Sequence, residues 1–133
     1  MLSYQQTSWV ILLILKELSD IGIKKISTKI NLHEKFYQVK EQYPDLFKRL
    51  YFDTNGHTPY SEDLDSIVFD YQTYGLVTWD GGFGLDINSD RIKKQLTQTQ
   101  DFGKNLLDFK NKYQITEEKM KEIIKILNLN NEV

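Results

Sequence analysis

The sequence predicts a mainly α-helical fold with one β-hairpin, and three observations carry that prediction. Apolar residues recur at helical spacing along most of the chain, a capping serine and a glycine stop delimit residues 61–75, and a Gly-rich turn follows between two short apolar stretches. With 133 residues, 40% hydrophobic and 27% charged, the chain reads as a single domain over 1–133.

The elements follow in order. Ser3-Tyr-Gln-Gln6 has the spacing of a capping box, in which the Ser hydroxyl and the Gln side chain satisfy each other's free backbone N–H groups, so a helix is expected to about Leu18. Because Trp9-Val-Ile-Leu-Leu-Ile-Leu15 is apolar on every face, that helix belongs in the middle of the core. After a turn at Asp20-Ile-Gly22, Ile23, Ile26 and Ile30 recur at helical spacing and predict a short second helix with Lys24, Lys25 and Lys29 on its basic face. Asn31, with Glu34 three residues on, predicts the start of another helix to about Tyr43, where Pro44 breaks or restarts it. An aromatic segment then leads to Asp53-Thr-Asn-Gly-His57, whose Asn-Gly marks a turn.

Ser61 is a good N-cap, with Glu62 and Asp63 in a first turn that favours carboxylates. Leu64, Ile67, Val68 and Tyr71 form the buried stripe of a helix over 61–74, and Gly75 is placed for the left-handed residue that ends it. A three-residue loop Asp80-Gly-Gly82 would set Trp79 opposite Phe83 and Val77 opposite Leu85. Phe102, Leu106, Phe109 and Tyr113 mark one closing helix. Thr116 caps another, with the stripe Met120, Ile123, Ile124 and Leu127 and a hydrophobic staple between Ile115 and Met120. The sum is a winged-helix-like core over 1–95 followed by a C-terminal helical hairpin over 101–130.

Charge narrows the function classes. The formal net charge is −2, so no global electrostatic pull toward nucleic acid exists. Residues 58–100 form the acidic third, with three Lys/Arg against seven Asp/Glu. A helix-plus-hairpin order suits a DNA reader, yet such a reader needs cations facing phosphate. The helix offers Glu62, Asp63, Asp65 and Asp70 instead, with Asp80 and Asp86 on the hairpin. The expected function is therefore a non-enzymatic protein-interaction module whose Glu62, Asp63, Asp65 and Asp70 meet a basic protein partner, with DNA bound only weakly. The alternative is a homodimeric DNA-binding transcriptional regulator that uses Lys24, Lys25 and Lys29 of the second helix, or Arg91, Lys93 and Lys94, and that dimerises through the C-terminal helices.

No catalytic motif, metal constellation or cofactor-binding loop stands out, so no catalytic residue, metal or cofactor is expected. Cys is absent from the sequence, which excludes thiol chemistry and sulfur-ligated metals. His33 and His57 share no carboxylate spacing. The longest apolar run is far shorter than the roughly 20 residues that span a bilayer, so a cytoplasmic protein with no membrane partner is expected.

The stretch Tyr51-Phe-Asp-Thr-Asn-Gly-His-Thr-Pro-Tyr-Ser-Glu-Asp-Leu64 resembles the phage-associated YwgA-like proteins and the related Panacea-type antitoxin domains. Pro59-Tyr60-Ser61, Leu64 and Gly75-Leu76-Val77 match their pattern, Thr58 stands where a Gly is usual, and Lys24–Ile30 matches loosely; the likeness spans roughly residues 8–95. The resemblance implies a compact winged-helix-like domain of prokaryotic or viral origin. It further implies a binding role, either neutralising a protein partner or regulating transcription, and brings no catalytic residues.

Overall fold

The computed structural model describes residues 2–26, 29–80, 84–97 and 100–128, leaving aside the side chains of residues 29, 30, 100–103 and 128. Among the described residues the chain is mainly helical with a small three-stranded antiparallel sheet. Its order is α1 (Tyr4–Asp20), β1 (Lys25–Ile26), α2 (Lys29–Gln42), α3 (Pro44–Phe47), α4 (Glu62–Thr73), β2 (Val77–Trp79), β3 (Leu85–Ile87), α5 (Ser89–Thr97), α6 (Gln100–Lys112) and α7 (Glu117–Asn128).

The capping box at the start of α1 forms in both directions: Ser3 Oγ accepts from the Gln6 N–H at 3.1 Å and Gln6 Oε1 accepts from the Ser3 N–H at 3.0 Å. Val10, Ile11, Leu12, Leu13, Ile14 and Leu15 are all buried, as an all-round apolar helix requires. Each such side chain contributes about 1.5–3 kcal/mol on leaving water. Trp9 lies at the margin of this core, edge-on to Phe109 with ring centroids 5.4 Å apart. α1 packs against α3, α5 and α7, so it forms the axis around which the other elements gather.

The expected helix does not cover residues 24–26; residues 27 and 28 lie outside those described, and Lys29 and Ile30 begin α2. Lys25–Ile26 is strand β1, paired antiparallel with β3 through Lys25 opposite Asp86 and Ile26 opposite Leu85. Ile23, Ile26 and Ile30 at helical intervals imitate one amphipathic stripe, but pairing with β3 takes Ile26 into a strand, while Ile30 belongs to α2. The next helix starts at Lys29, so Asn31 lies inside it and is not its cap.

β3 is the central strand, with order β1-β3-β2. The hairpin keeps its expected apolar face but in a register two residues away from the expected one: Trp79 lies opposite Leu85 and Val77 opposite Ile87. The Asp80 N–H donates to the Gly84 carbonyl at 2.8 Å, so the connection runs through residues 81–83 and not through Asp80–Gly82. Phe83, the expected partner of Trp79, lies outside the described residues. Gly84 explains the shift. Its φ is +137° and a Cβ there would come within 2.5 Å of the Ile26 carbonyl oxygen, so the close approach of β1 requires glycine at this position.

The C-terminal part holds α5, which the sequence pattern did not predict, besides the two expected helices. Asn88 Oδ1 accepts from the Arg91 N–H at 3.1 Å as α5 begins. On α7, Thr116 Oγ1 accepts from the Lys119 N–H at 3.2 Å, and Ile115 and Met120 are both buried, as the staple predicts. Met120, Ile123, Ile124 and Leu127 are buried within their own chain, where α7 packs on α1 and α2. The expectation that this stripe supplies a dimer face is therefore not met. Buried Lys35 of α2 donates from Nζ to the Leu127 carbonyl at 2.6 Å, meeting the negative end of α7, and burial holds its ammonium below the usual lysine range.

Candidate protein-binding surface

Helix α4 is built differently at its two ends. At the N-terminal end, Ser61 is fully buried and its Oγ accepts from the Leu64 N–H at 3.1 Å, which is the expected cap. The Ser61 backbone N–H donates to Nδ1 of buried His33 at 3.0 Å. An Nδ1 that accepts from an N–H carries no proton, so the neutral imidazole holds its proton on Nε2 and donates it to Asp65 Oδ1 at 2.9 Å. Tyr60 donates its hydroxyl to the other oxygen of Asp65 and stacks its ring on His33, with centroids 4.7 Å apart and planes 19° from parallel. The hydrogen bond to Asp65, reinforced by desolvation and by the charges of Asp65 and Glu62, pushes the Tyr60 phenol up to about 12. Asp63 Oδ2 accepts from the Tyr51 N–H at 2.9 Å and so pins the aromatic segment to the helix.

Ser, His and Asp coincide here, but not as a nucleophilic arrangement. The Ser61 hydroxyl is engaged in capping, and its backbone N–H, not its hydroxyl, meets the imidazole. Among the described residues no group of His and carboxylates has the geometry to hold a metal ion.

The C-terminal half of α4 also carries an outward face. Phe69 is 66% exposed and Tyr74 59% exposed, both off the buried stripe of Leu64, Ile67, Val68 and Tyr71. Phe69, Asp65, Ser66, Asp70 and Gln72 line one wall of a groove of about 460 Å³ whose other wall is Trp79 of β2. The groove is thus acidic and aromatic, with a helix on one side and the hairpin on the other.

The structure distributes the expected site residues unevenly. Glu62 and Asp70 are exposed, whereas Asp63 and Asp65 are half-buried and committed to Tyr51, His33 and Tyr60. Of these four, Asp65 and Asp70 come together in the groove. The expected basic residues do not share one helical face. Lys24 and Lys25 lie in extended backbone, where neighbouring side chains point to opposite sides. Lys25 Nζ lies 2.8 Å from Asp80 and 3.5 Å from Asp86, and these contacts raise its pKa. That pairing offsets part of the hairpin's acidity from the neighbouring strand β1. Lys29 begins α2, but its side chain lies outside those described. On α5, Arg91 donates from Nε to the Tyr74 carbonyl at 3.3 Å, while Lys93 and Lys94 are exposed.

Sequence reasoning missed Phe69 and Trp79 as parts of this surface and the buried His33 that supports it. Phe69 had a signal, since an aromatic residue off the apolar stripe of an amphipathic helix must face outward. His33 had none, because its partner Asp65 is 32 residues away. The chain matches no family model, no curated protein and no solved structure. Among the described residues no helix is long and apolar enough to cross a membrane.

Proposed function

We propose that this chain is a non-enzymatic protein-interaction module of winged-helix-like architecture, antitoxin-like in the sense its motif resembles, and that the outer face of α4 with the hairpin meets a basic partner. The observation that carries this reading is the groove between α4 and β2, where exposed Phe69 and the exposed carboxylate of Asp70 stand opposite Trp79, beside the engaged Asp65 and with no lysine or arginine among the described residues that line it. Aromatic side chains flanked by carboxylates suit a surface that carries cations and apolar groups together. The order α1-β1-α2-α4-β2-β3, with the short α3 between α2 and α4 and β3 central in the sheet, supports the winged-helix-like part of the reading, with β2 and β3 as the wing.

The same order is what favours the second reading, a DNA-binding regulator. Charge weighs against it, since phosphate would face Glu62, Asp65 and Asp70, and the paired Lys25 has its charge turned toward the hairpin.

One experiment separates the two. The protein is titrated with the purified products of its adjacent genes and, in parallel, with random duplex DNA at several salt concentrations. The expected result is a protein complex weakened at least tenfold by Glu62→Lys with Asp70→Lys, and duplex binding no tighter than about micromolar, as for non-specific association. Tight duplex binding with a steep salt slope, or a protein complex indifferent to both reversals, overturns the proposal.

A further inference from the structure

A second cavity, on the other flank of α4, has a composition that the fold does not require. It encloses about 340 Å³ between α1, α4 and Gln95 near the end of α5, and Tyr4, Trp9, Tyr71 and Tyr74 line it together with Asp70. Four aromatic residues and one carboxylate, with no lysine or arginine among the described residues of the lining, are the ingredients of an aromatic cage for an organic cation. Tyr71 is held in place, since its ring is buried and its hydroxyl donates to the Ser8 carbonyl. Tyr74 is largely exposed and stands at the mouth.

The field in the cavity has a definite sign. The N-terminus of α1 brings roughly half a positive charge and the C-terminus of α4 roughly half a negative one, so the two helix ends offset each other. Arg91 lies beyond the lining, with its Nε on the Tyr74 carbonyl. Asp70 is the charged side chain of the lining itself. Burial, then the charges of Asp70 and Asp63, push the Tyr4 phenol above the ordinary tyrosine range, against a hydrogen bond with Ser66 and the charge of Arg49, which act the other way. α4 also carries no basic residue in its last turn, so no cation of its own helix occupies the position beside Asp70.

We infer that this cavity receives the guanidinium of an arginine side chain projected by the basic partner, stacked among Tyr4, Trp9 and Tyr74 and paired with Asp70. A planar guanidinium stacks on rings and pairs with a carboxylate at once, which a compact ammonium does less well. The inference rests on the reading of α4 as the partner-binding face and extends it around the helix, because Asp70 lines both this cavity and the groove toward Trp79.

The chain's two tryptophans make a direct test, since Trp9 lines the cavity and Trp79 the groove. Their indole N–H signals, assigned with Trp79→Phe, are followed by NMR while N-acetyl-arginine amide is added to the full chain, with N-acetyl-citrulline amide as its neutral isostere. The expected result is a saturable shift of the Trp9 signal by the arginine probe. It should be at least tenfold weaker with citrulline, and equally weakened by Asp70→Asn and by the exposed change Tyr74→Leu in proteins whose spectra remain folded. A shift of Trp79 alone would overturn the cavity assignment while leaving the α4 surface as the binding face. Equal shifts with citrulline, or none at millimolar probe, would overturn it as well. Failure of the proposed function itself is read separately, in the titration with adjacent gene products.

Discussion

The two halves of α4 carry acidic residues for opposite reasons. In the first turns every carboxylate but Glu62 supports the fold, since Asp63 fixes the Tyr51 amide and Asp65 receives His33 and Tyr60. In the second half Asp70 lies at the wrong end of the helix for its own dipole and is flanked by exposed aromatic rings. Acidity alone therefore does not mark a binding surface. What marks it is acidity that the fold leaves uncommitted.

That contrast can be broken most sharply at His33. Replacing it with Leu leaves the buried Ser61 N–H without its acceptor and removes a partner of Asp65, which should cost about 2–4 kcal/mol of unfolding free energy in urea. A loss below about 1 kcal/mol would show that the network is dispensable and that the two halves of α4 do not differ in this way.

A second test works through pH. The Tyr71 phenol is raised by burial above its ordinary value of about 10. At neutral pH both states keep the proton and nothing depends on it. Above about pH 10 the unfolded chain gives up the proton while the folded chain retains it, so stability falls as pH rises, by up to about 1.4 kcal/mol per pH unit for one such group. Tyr71→Phe should remove its share of that alkaline decline, leaving smaller shares such as those of Tyr60 and Tyr4. Urea unfolding curves collected between about pH 8 and about 11 would reveal an unchanged slope if Tyr71 were not responsible.

Smaller effects sharpen the comparison. Ser61→Ala removes the cap and should cost about 1 kcal/mol, read from the thermal midpoint. Asp70→Asn should change stability by no more than about 0.5 kcal/mol, and in the favourable direction, because it removes a negative charge from the negative end of the helix. A clear destabilisation by Asp70→Asn would mean that this carboxylate, like Asp65, belongs to the scaffold.

What the sequence disclosed follows the same line between local and distant causes. The caps at Ser3, Ser61 and Thr116, the glycine stop at Gly75 and the stripes of α1, α4 and α7 depend on residues a few positions apart, and these formed as expected. At Gly75 the φ is +78°, and the N–H of Leu76 reaches back to the Tyr71 carbonyl at 2.9 Å, which is the predicted exit. The errors lie where distant strands decide. Ile26 reads as part of a helix with Ile23 and Ile30 until β3 supplies it a partner, and the hairpin register depends on how close Gly84 must come to Ile26. The acidic helix was legible as a series of residues, but which carboxylates the fold engages depended on His33 and Tyr51 arriving from elsewhere in the chain.

The hydrogen bond from Lys35 to the Leu127 carbonyl, which joins residues 92 positions apart, bears on how the protein is made. The apolar flank of α1 and the buried lysine of α2 are both covered by α7. On a ribosome adding about 5–20 residues per second, α1 and α2 would wait several seconds, with that flank uncovered, before α7 emerged. Closure of the core is thus an event late in synthesis, and during that interval the nascent chain is open to chaperones.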